Sequence, residues 1–64
     1  MENQIHSLRK QLGISQEALA WRCGVSRQTI NAIENNNYDP TLVLAFHLAQ
    51  VLGTTVDALF QPAQ

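Results

Sequence analysis

Arg27, Gln28, Thr29, Asn31 and Asn35 place five hydrogen-bonding side chains in one short stretch, with Ile30 and Ile33 set between them. At 100° per residue, Gln28, Asn31 and Asn35 fall on one side of a helix, with Ala32 among them and Arg27 and Thr29 flanking. These are the side-chain types that read base edges. Asn and Gln form two hydrogen bonds with adenine, Arg does so with guanine, and a small apolar residue touches the thymine methyl. A helix of ten residues is about 15 Å long, and the major groove it would enter is about 12 Å wide. An ordinary solvated face favours Lys and Glu; this one is Arg, Gln, Thr, Asn and Asn.

A reading face needs a second helix to hold it. Residues 15–37 read as two short helices joined by a tight turn at Gly24, the arrangement of a helix-turn-helix. Apolar or small residues fall at Leu19, Ala20, Cys23, Val25, Ile30 and Ile33, where two crossing helices must bury side chains. Ser15 caps the first helix of the pair and Ser26 the second, which covers about Arg27 to Glu34. Gly24 supplies the positive φ of a sharp turn without steric cost. Gln16 opens the first helix, where its side chain and nearby backbone N–H groups meet a phosphate oxygen. Such a contact sets register and carries no sequence information. Glu34 sits on the core-side flank of the reading helix and is expected to pair with Arg9 as a structural brace.

The remaining elements frame this pair. Helix 1 is expected over about Asn3 to Gln11, with Ile5, Leu8 and Leu12 on one face and Gly13 at its end. Asn35-Asn36-Asn37-Tyr38-Asp39 forms a polar connector that tolerates left-handed backbone. Pro40 fits the first turn of helix 4, with Asp39 or Thr41 as its cap. Helix 4 extends to about Leu52 and Gly53 stops it. Helix 5 is brief, about Val56 to Phe60 with Thr55 as cap, and Pro62 and polar residues end the chain. No period-two alternation, repeat or linker interrupts the pattern. The expectation is an all-α, compact five-helix fold forming one domain over residues 1–64, with the helix-turn-helix in helices 2 and 3.

Helix 4 carries more apolar surface than one core face needs. Leu42, Ala45, Leu48, Ala49 and Leu52 are expected to face inward. Leu44 and Val51 fall on one shoulder, and Val43 and Phe46 toward the other. Some of these would pack under helix 5 or the N-terminus. Leu44, Val51 and Phe60 equally suit a self-complementary dimer patch, since contiguous exposed apolar surface marks interfaces.

Composition limits the other possibilities. A chain of 64 residues buries only about 60% of its unfolded surface, and its 45% apolar content suits a folded domain. No apolar run approaches the ~20 residues that span a bilayer, and no signal peptide is present. The chain, starting at Met1, reads as complete and cytoplasmic. Cys23 is the sole cysteine and is expected as a small buried hydrophobe. His6 and His47 read as solvated, with no nucleophile or orienting acid at a useful spacing. No catalytic residue, metal site or cofactor is expected, and the chain does not read as an enzyme.

The formal net charge is −1, where a DNA-binding domain would ordinarily be basic. Arg9, Lys10, Arg22 and Arg27 lie in residues 1–33 against Glu2 and Glu17, leaving +2. Residues 34–64 carry Glu34, Asp39 and Asp57 and no cation, leaving −3. So weak a field neutralises few phosphates, so non-specific affinity and salt dependence should be modest. Each good bidentate base contact adds about 1–3 kcal/mol of discrimination. Two or three per chain, with few cations behind them, fall short of the ~10⁻⁸ M typical of specific binding. A two-fold homodimer doubles the contacts and reads half-sites about 34 Å apart. Trp21 fits this scheme least. On the outer side of helix 2 it is expected foremost to pack over helix 1 or a loop, the other roles being a phosphate contact through its indole N–H and a partner site.

With these residues in place, the chain resembles the XRE family of Cro/repressor-type helix-turn-helix regulators over essentially its whole length. The stretches that carry the resemblance are Leu12-Gly13-Ile14-Ser15-Gln16-Glu17-Ala18-Leu19-Ala20, Gly24-Val25-Ser26-Arg27-Gln28-Thr29-Ile30 and Ile33-Glu34-Asn35. Tyr38-x-Pro40-Thr41-Leu42 and Ala45-Phe46 are similar to its small single-domain members. The resemblance implies a lambda-repressor-like fold. It also implies phosphate contacts from Gln16 and Asn35, base contacts from Arg27, Gln28 and Asn31, a backbone contact from Tyr38, and an Arg9–Glu34 pairing. Two departures stand out: Asn36-Asn37 replaces the common Gly-Lys, and Trp21 replaces a polar residue. The function expected is sequence-specific binding of double-stranded DNA at an inverted-repeat operator by a homodimeric repressor. The alternative is an interaction module, antitoxin-like, that binds a partner protein.

Overall fold

A serine or threonine begins each helix from the second onward, and each does the same work. Ser15 Oγ accepts from Ala18 N–H (3.0 Å), Ser26 Oγ from Thr29 N–H (3.2 Å), Thr41 Oγ1 from Leu44 N–H (3.2 Å) and Thr55 Oγ1 from Ala58 N–H (3.2 Å). Each bond satisfies a backbone donor that the first turn of a helix leaves without a partner. The computed structural model describes residues 1–61. In chain order its elements are β1 (Glu2–Asn3), α1 (Ile5–Leu12), α2 (Gln16–Cys23), α3 (Arg27–Glu34), α4 (Leu42–Val51), α5 (Val56–Leu59) and β2 (Phe60–Gln61).

The five helices follow the sequence pattern, with differences at the ends. A small antiparallel sheet joins β1 to β2, with Glu2 opposite Gln61 and Asn3 opposite Phe60. Two-residue strands are too short to show alternation, so no sequence period announces them. Asn3 therefore belongs to β1, and its Oδ1 accepts the Ile5 N–H (3.1 Å) as α1 begins. Phe60 leaves the fifth helix for β2, and Pro40 stays outside α4 because Thr41 supplies the cap. Pro62 lies outside the described residues.

The core contains the fully buried Ile5, Leu19, Ile30, Ile33, Leu48 and Leu59. Burial of each such side chain is worth about 1.5–3 kcal/mol. Through it α2 packs against both α3 and α4, and α4 against α5. Cys23 is buried with this group, and that burial pushes its thiol pKa up. Leu12 departs from the expected inward face of α1 and is exposed. Arg9, in the same last turn, takes the inward place instead.

The face of α4 is also rotated from the expectation. Leu44, Ala45, Leu48, Ala49 and Leu52 are buried, whereas Leu42, Val43 and Phe46 are exposed. Exchanging Leu42 for Leu44 turns the centre of the buried stripe by about 30° at 100° per residue. Of the expected dimer residues, Leu44 and Phe60 thus lie in the core, and Val51 is partly buried against it. Phe60 is drawn inward because its backbone pairs with Asn3 in the sheet. Neither Leu44 nor Phe60 offers surface to a second molecule.

Candidate nucleic-acid interface

Gly24 turns the chain from α2 into α3 with φ +70°, and a Cβ there would meet nothing within 4 Å. Conformation, not space, makes glycine the fitting residue. Beyond the turn, Ser26 caps α3, and its Oγ lies 3.0 Å from Thr29 Oγ1. Thr29 is half-buried with its hydroxyl engaged by the cap. Arg27, Gln28, Asn31 and Asn35 are exposed along α3 and its end.

Gln16, the first residue of α2, is brought to the same face. Its Oε1 accepts from Asn31 Nδ2 at 3.4 Å, the long end of hydrogen bonding. Asn31 Oδ1 in turn accepts from Asn35 Nδ2 at 3.2 Å. Three amide side chains from two helices thus form one row at the surface. The Asn31–Asn35 step is an i, i+4 relation readable from sequence. The Gln16–Asn31 step crosses the turn, and no local spacing gives it.

The opposite flank of α3 is closed. Arg9 Nε donates to Glu34 Oε2 (2.9 Å) and Nη2 to Oε1 (3.1 Å), a bidentate pair. The two side chains are only 10% and 4% exposed. Arg9 Nη1 also donates to the Ile14 carbonyl (3.2 Å), so the guanidinium is held to the start of α2 as well. His6 adds a contact the sequence did not suggest: its Nδ1 lies 3.1 Å from Arg9 Nη2 and 3.4 Å from Glu34 Oε1. Arg9 therefore faces inward, leaving Lys10, Arg22 and Arg27 as the exposed cations.

The end of α3 is anchored by residues that sequence reasoning treated as connector. Asn36 takes a left-handed conformation (φ 63°) where glycine is commonest. Asn36 N–H bonds the Ile33 carbonyl (3.1 Å), and Asn37 N–H bonds that of Ala32 (2.9 Å). Asn3 reaches across from β1: its Nδ2 donates to the Ile33 carbonyl (2.9 Å) and to Asn36 Oδ1 (3.2 Å). A left-handed Asn was a legible signal; its tie to Asn3 was not. Tyr38 follows in the connector, half-exposed.

Trp21 is 84% exposed, so packing over α1 or a loop does not describe it. Among the described residues no cluster of His, Cys, Asp and Glu is suited to a metal, and no helix is long and apolar enough to cross a membrane.

Comparison with known proteins agrees with a helix-turn-helix in α2 and α3. The family model HTH_3, helix-turn-helix, matches residues 5–59. The chain is 51% identical over 53 residues to an uncharacterized HTH-type transcriptional regulator of Methanothermobacter thermautotrophicus, covering 83% of this chain and 77% of the relative. A second uncharacterized HTH-type transcriptional regulator, from Methanocaldococcus jannaschii, is 45% identical over 60 residues, covering 94% of this chain and 91% of the relative. Among solved structures, the restriction-modification controller protein C.AhdI of Aeromonas hydrophila superimposes with a TM-score of 0.81 at 32% identity, covering 89% of this chain and 86% of that one.

Proposed function

The chain belongs to the helix-turn-helix family of DNA-binding transcriptional regulators, and we propose that it acts as a homodimeric repressor on inverted-repeat operators. The observation that carries this reading is the exposed face of α3. Arg27, Gln28, Asn31 and Asn35 stand outward beside Gln16, while the other flank of the helix is closed by Arg9 and Glu34. With α3 in the major groove, Arg27 and Gln28 meet base edges. Gln16 and Asn35 meet phosphates, and Tyr38 approaches the backbone. Occupancy of a promoter by such a domain blocks transcription without an effector site.

Dimerisation follows from the charge distribution. Three exposed cations per chain neutralise few phosphates, so a single copy gains little sequence-independent affinity. A second copy doubles both base and phosphate contacts. The surface suited to it is the exposed part of α4, Leu42, Val43 and Phe46, beside a cleft that Phe46, Ala49 and Val56 help to line. A protein that works this way acts in the cytoplasm, where its DNA is.

Selection from a random pool of duplexes by the purified protein tests the reading. The expected result is an enriched inverted repeat with half-site centres about 34 Å apart. Failure to enrich any sequence would overturn DNA recognition, and an enriched single half-site bound by a monomer would overturn the dimer.

Trp21 favours a second reading, in which the chain also docks a protein partner. An indole this exposed is an unusual place to leave so much apolar area. Arg27→Ala combined with Gln28→Ala separates the two readings: loss of DNA binding with partner binding intact assigns the α3 face to DNA, and the reverse assigns it to the partner.

A further inference from the structure

Gln16 and Asn35 lie at opposite ends of the surface amide row, and Asn31 is the one member bonded on both sides. A primary amide has two N–H donors and an oxygen that accepts twice. Asn31 commits one N–H to Gln16 and one acceptor site to Asn35. Gln16 then keeps both of its N–H groups and Asn35 keeps one, so each end of the row retains a donor for an anionic oxygen. Turning over all three amides reverses the row and leaves the same balance. In either sense the ends can donate to phosphates, while the middle residue has half its capacity committed within the protein.

Building on the DNA-binding reading above, we propose that Asn31 is a positioning residue: it ties Gln16 of α2 to Asn35 of α3, so that the two phosphate contacts act as one unit set before DNA arrives. Three separate polar side chains would each lose rotamer freedom on binding, whereas a row already formed has lost part of it beforehand. The tie also spans the two helices at the surface, above a core junction made independently by Leu19, Cys23, Ile30 and Ile33. Removing Asn31 should therefore loosen the DNA face while leaving the fold intact. This role differs from base reading, which would place the effect at a single base pair.

The test uses the full chain and duplexes that the chain itself enriches from a random pool. Asn31→Ala, Gln16→Ala and the double variant are compared on the enriched sequence and on duplexes changed at each base pair in turn. For Asn31→Ala, affinity is expected to fall about ten-fold on every duplex, with the base preferences unchanged. The double variant should lose little more than the worse single, because contacting residues of one network are strongly non-additive. In the free protein, side-chain amide resonances of Gln16 and Asn35 should both shift on Asn31→Ala, with the melting temperature held. Relaxed preference at one base pair, full additivity of the two losses, or unmoved Gln16 and Asn35 resonances would each overturn the proposal. Failure of the wild-type chain to enrich any duplex would overturn the DNA reading, and the proposal with it.

Discussion

Asn31 and Glu34 stand one turn apart on α3, and each reaches a residue on another helix. Glu34 is nearly sealed from solvent and holds Arg9 through two charge-assisted bonds. Asn31 is exposed and holds Gln16 and Asn35 through one neutral bond each. The buried pair fixes where α3 sits, because neither charge can find water if the other is withdrawn. The exposed row competes with solvent at every bond, so its members remain available to a ligand. On one short helix, burial separates what holds the domain together from what the domain presents.

Breaking the buried side should have the larger effect on stability. Glu34→Gln leaves the Arg9 guanidinium buried without a counter-charge, and losses of about 3–5 kcal/mol follow from such unpairing. A domain of this size holds roughly 3–10 kcal/mol in total, so the melting temperature should drop by more than about 10 °C. Calorimetry checks this; a change of a degree or two would show that the pair is not the brace.

Breaking the exposed side should leave stability alone and remove function. Arg27→Ala with Gln28→Ala is expected to alter stability by no more than about 0.5 kcal/mol. On the proposed reading, in which Arg27 and Gln28 contact bases in each of two copies, affinity for a selected duplex should fall at least about a hundred-fold. Fluorescence anisotropy on wild type and variant reads this directly, and a loss of only a few-fold would remove the α3 face from the site.

A smaller effect tests the anchor between the two sides. Asn36→Ala should cost about 1–2 kcal/mol, because alanine tolerates left-handed backbone poorly and the bond from Asn3 is lost. Asn36→Gly should fall nearer to wild type, the relieved backbone offsetting the lost bond. Chemical denaturation of the three proteins gives the order; equal losses for both variants would place the effect in the side-chain bond alone.

The smallest effect is that of pH on Cys23. Burial raises its thiol pKa in the folded chain above the unfolded value. The neutral thiol therefore favours folding below the ordinary thiol pKa of about 8.5. As pH rises beyond that value, this contribution is lost, because the unfolded chain releases its proton first. Cys23→Ala should flatten the alkaline fall in stability measured by urea titration. An unchanged slope would assign it to other groups.

Much of this contrast was legible in the chain. Ser15, Ser26, Thr41 and Thr55 marked the helix starts because a hydroxyl beside free N–H groups has one local use. The outward set on α3 followed from helical spacing, and the Arg9–Glu34 pairing from the core-side position of Glu34. Trp21 and the α4 shoulder were not legible. A helical wheel ranks residues by angle, and a turn of α4 by about 30°, which exchanged Leu42 for Leu44, lies within what periodicity leaves open. Trp21 had a plausible packing place that tertiary structure did not provide.

By itself, then, the sequence determined the helices, their caps, the turn at Gly24 and the side-chain types offered by α3, since each rests on interactions between residues a few positions apart. Tertiary structure alone decided that Asn3 anchors the end of α3, that β1 meets β2, that Phe60 is core and that Gln16 joins Asn31. Those contacts link residues 15 to 59 positions apart, and they form only when packing of the helices brings the distant segments within bonding distance.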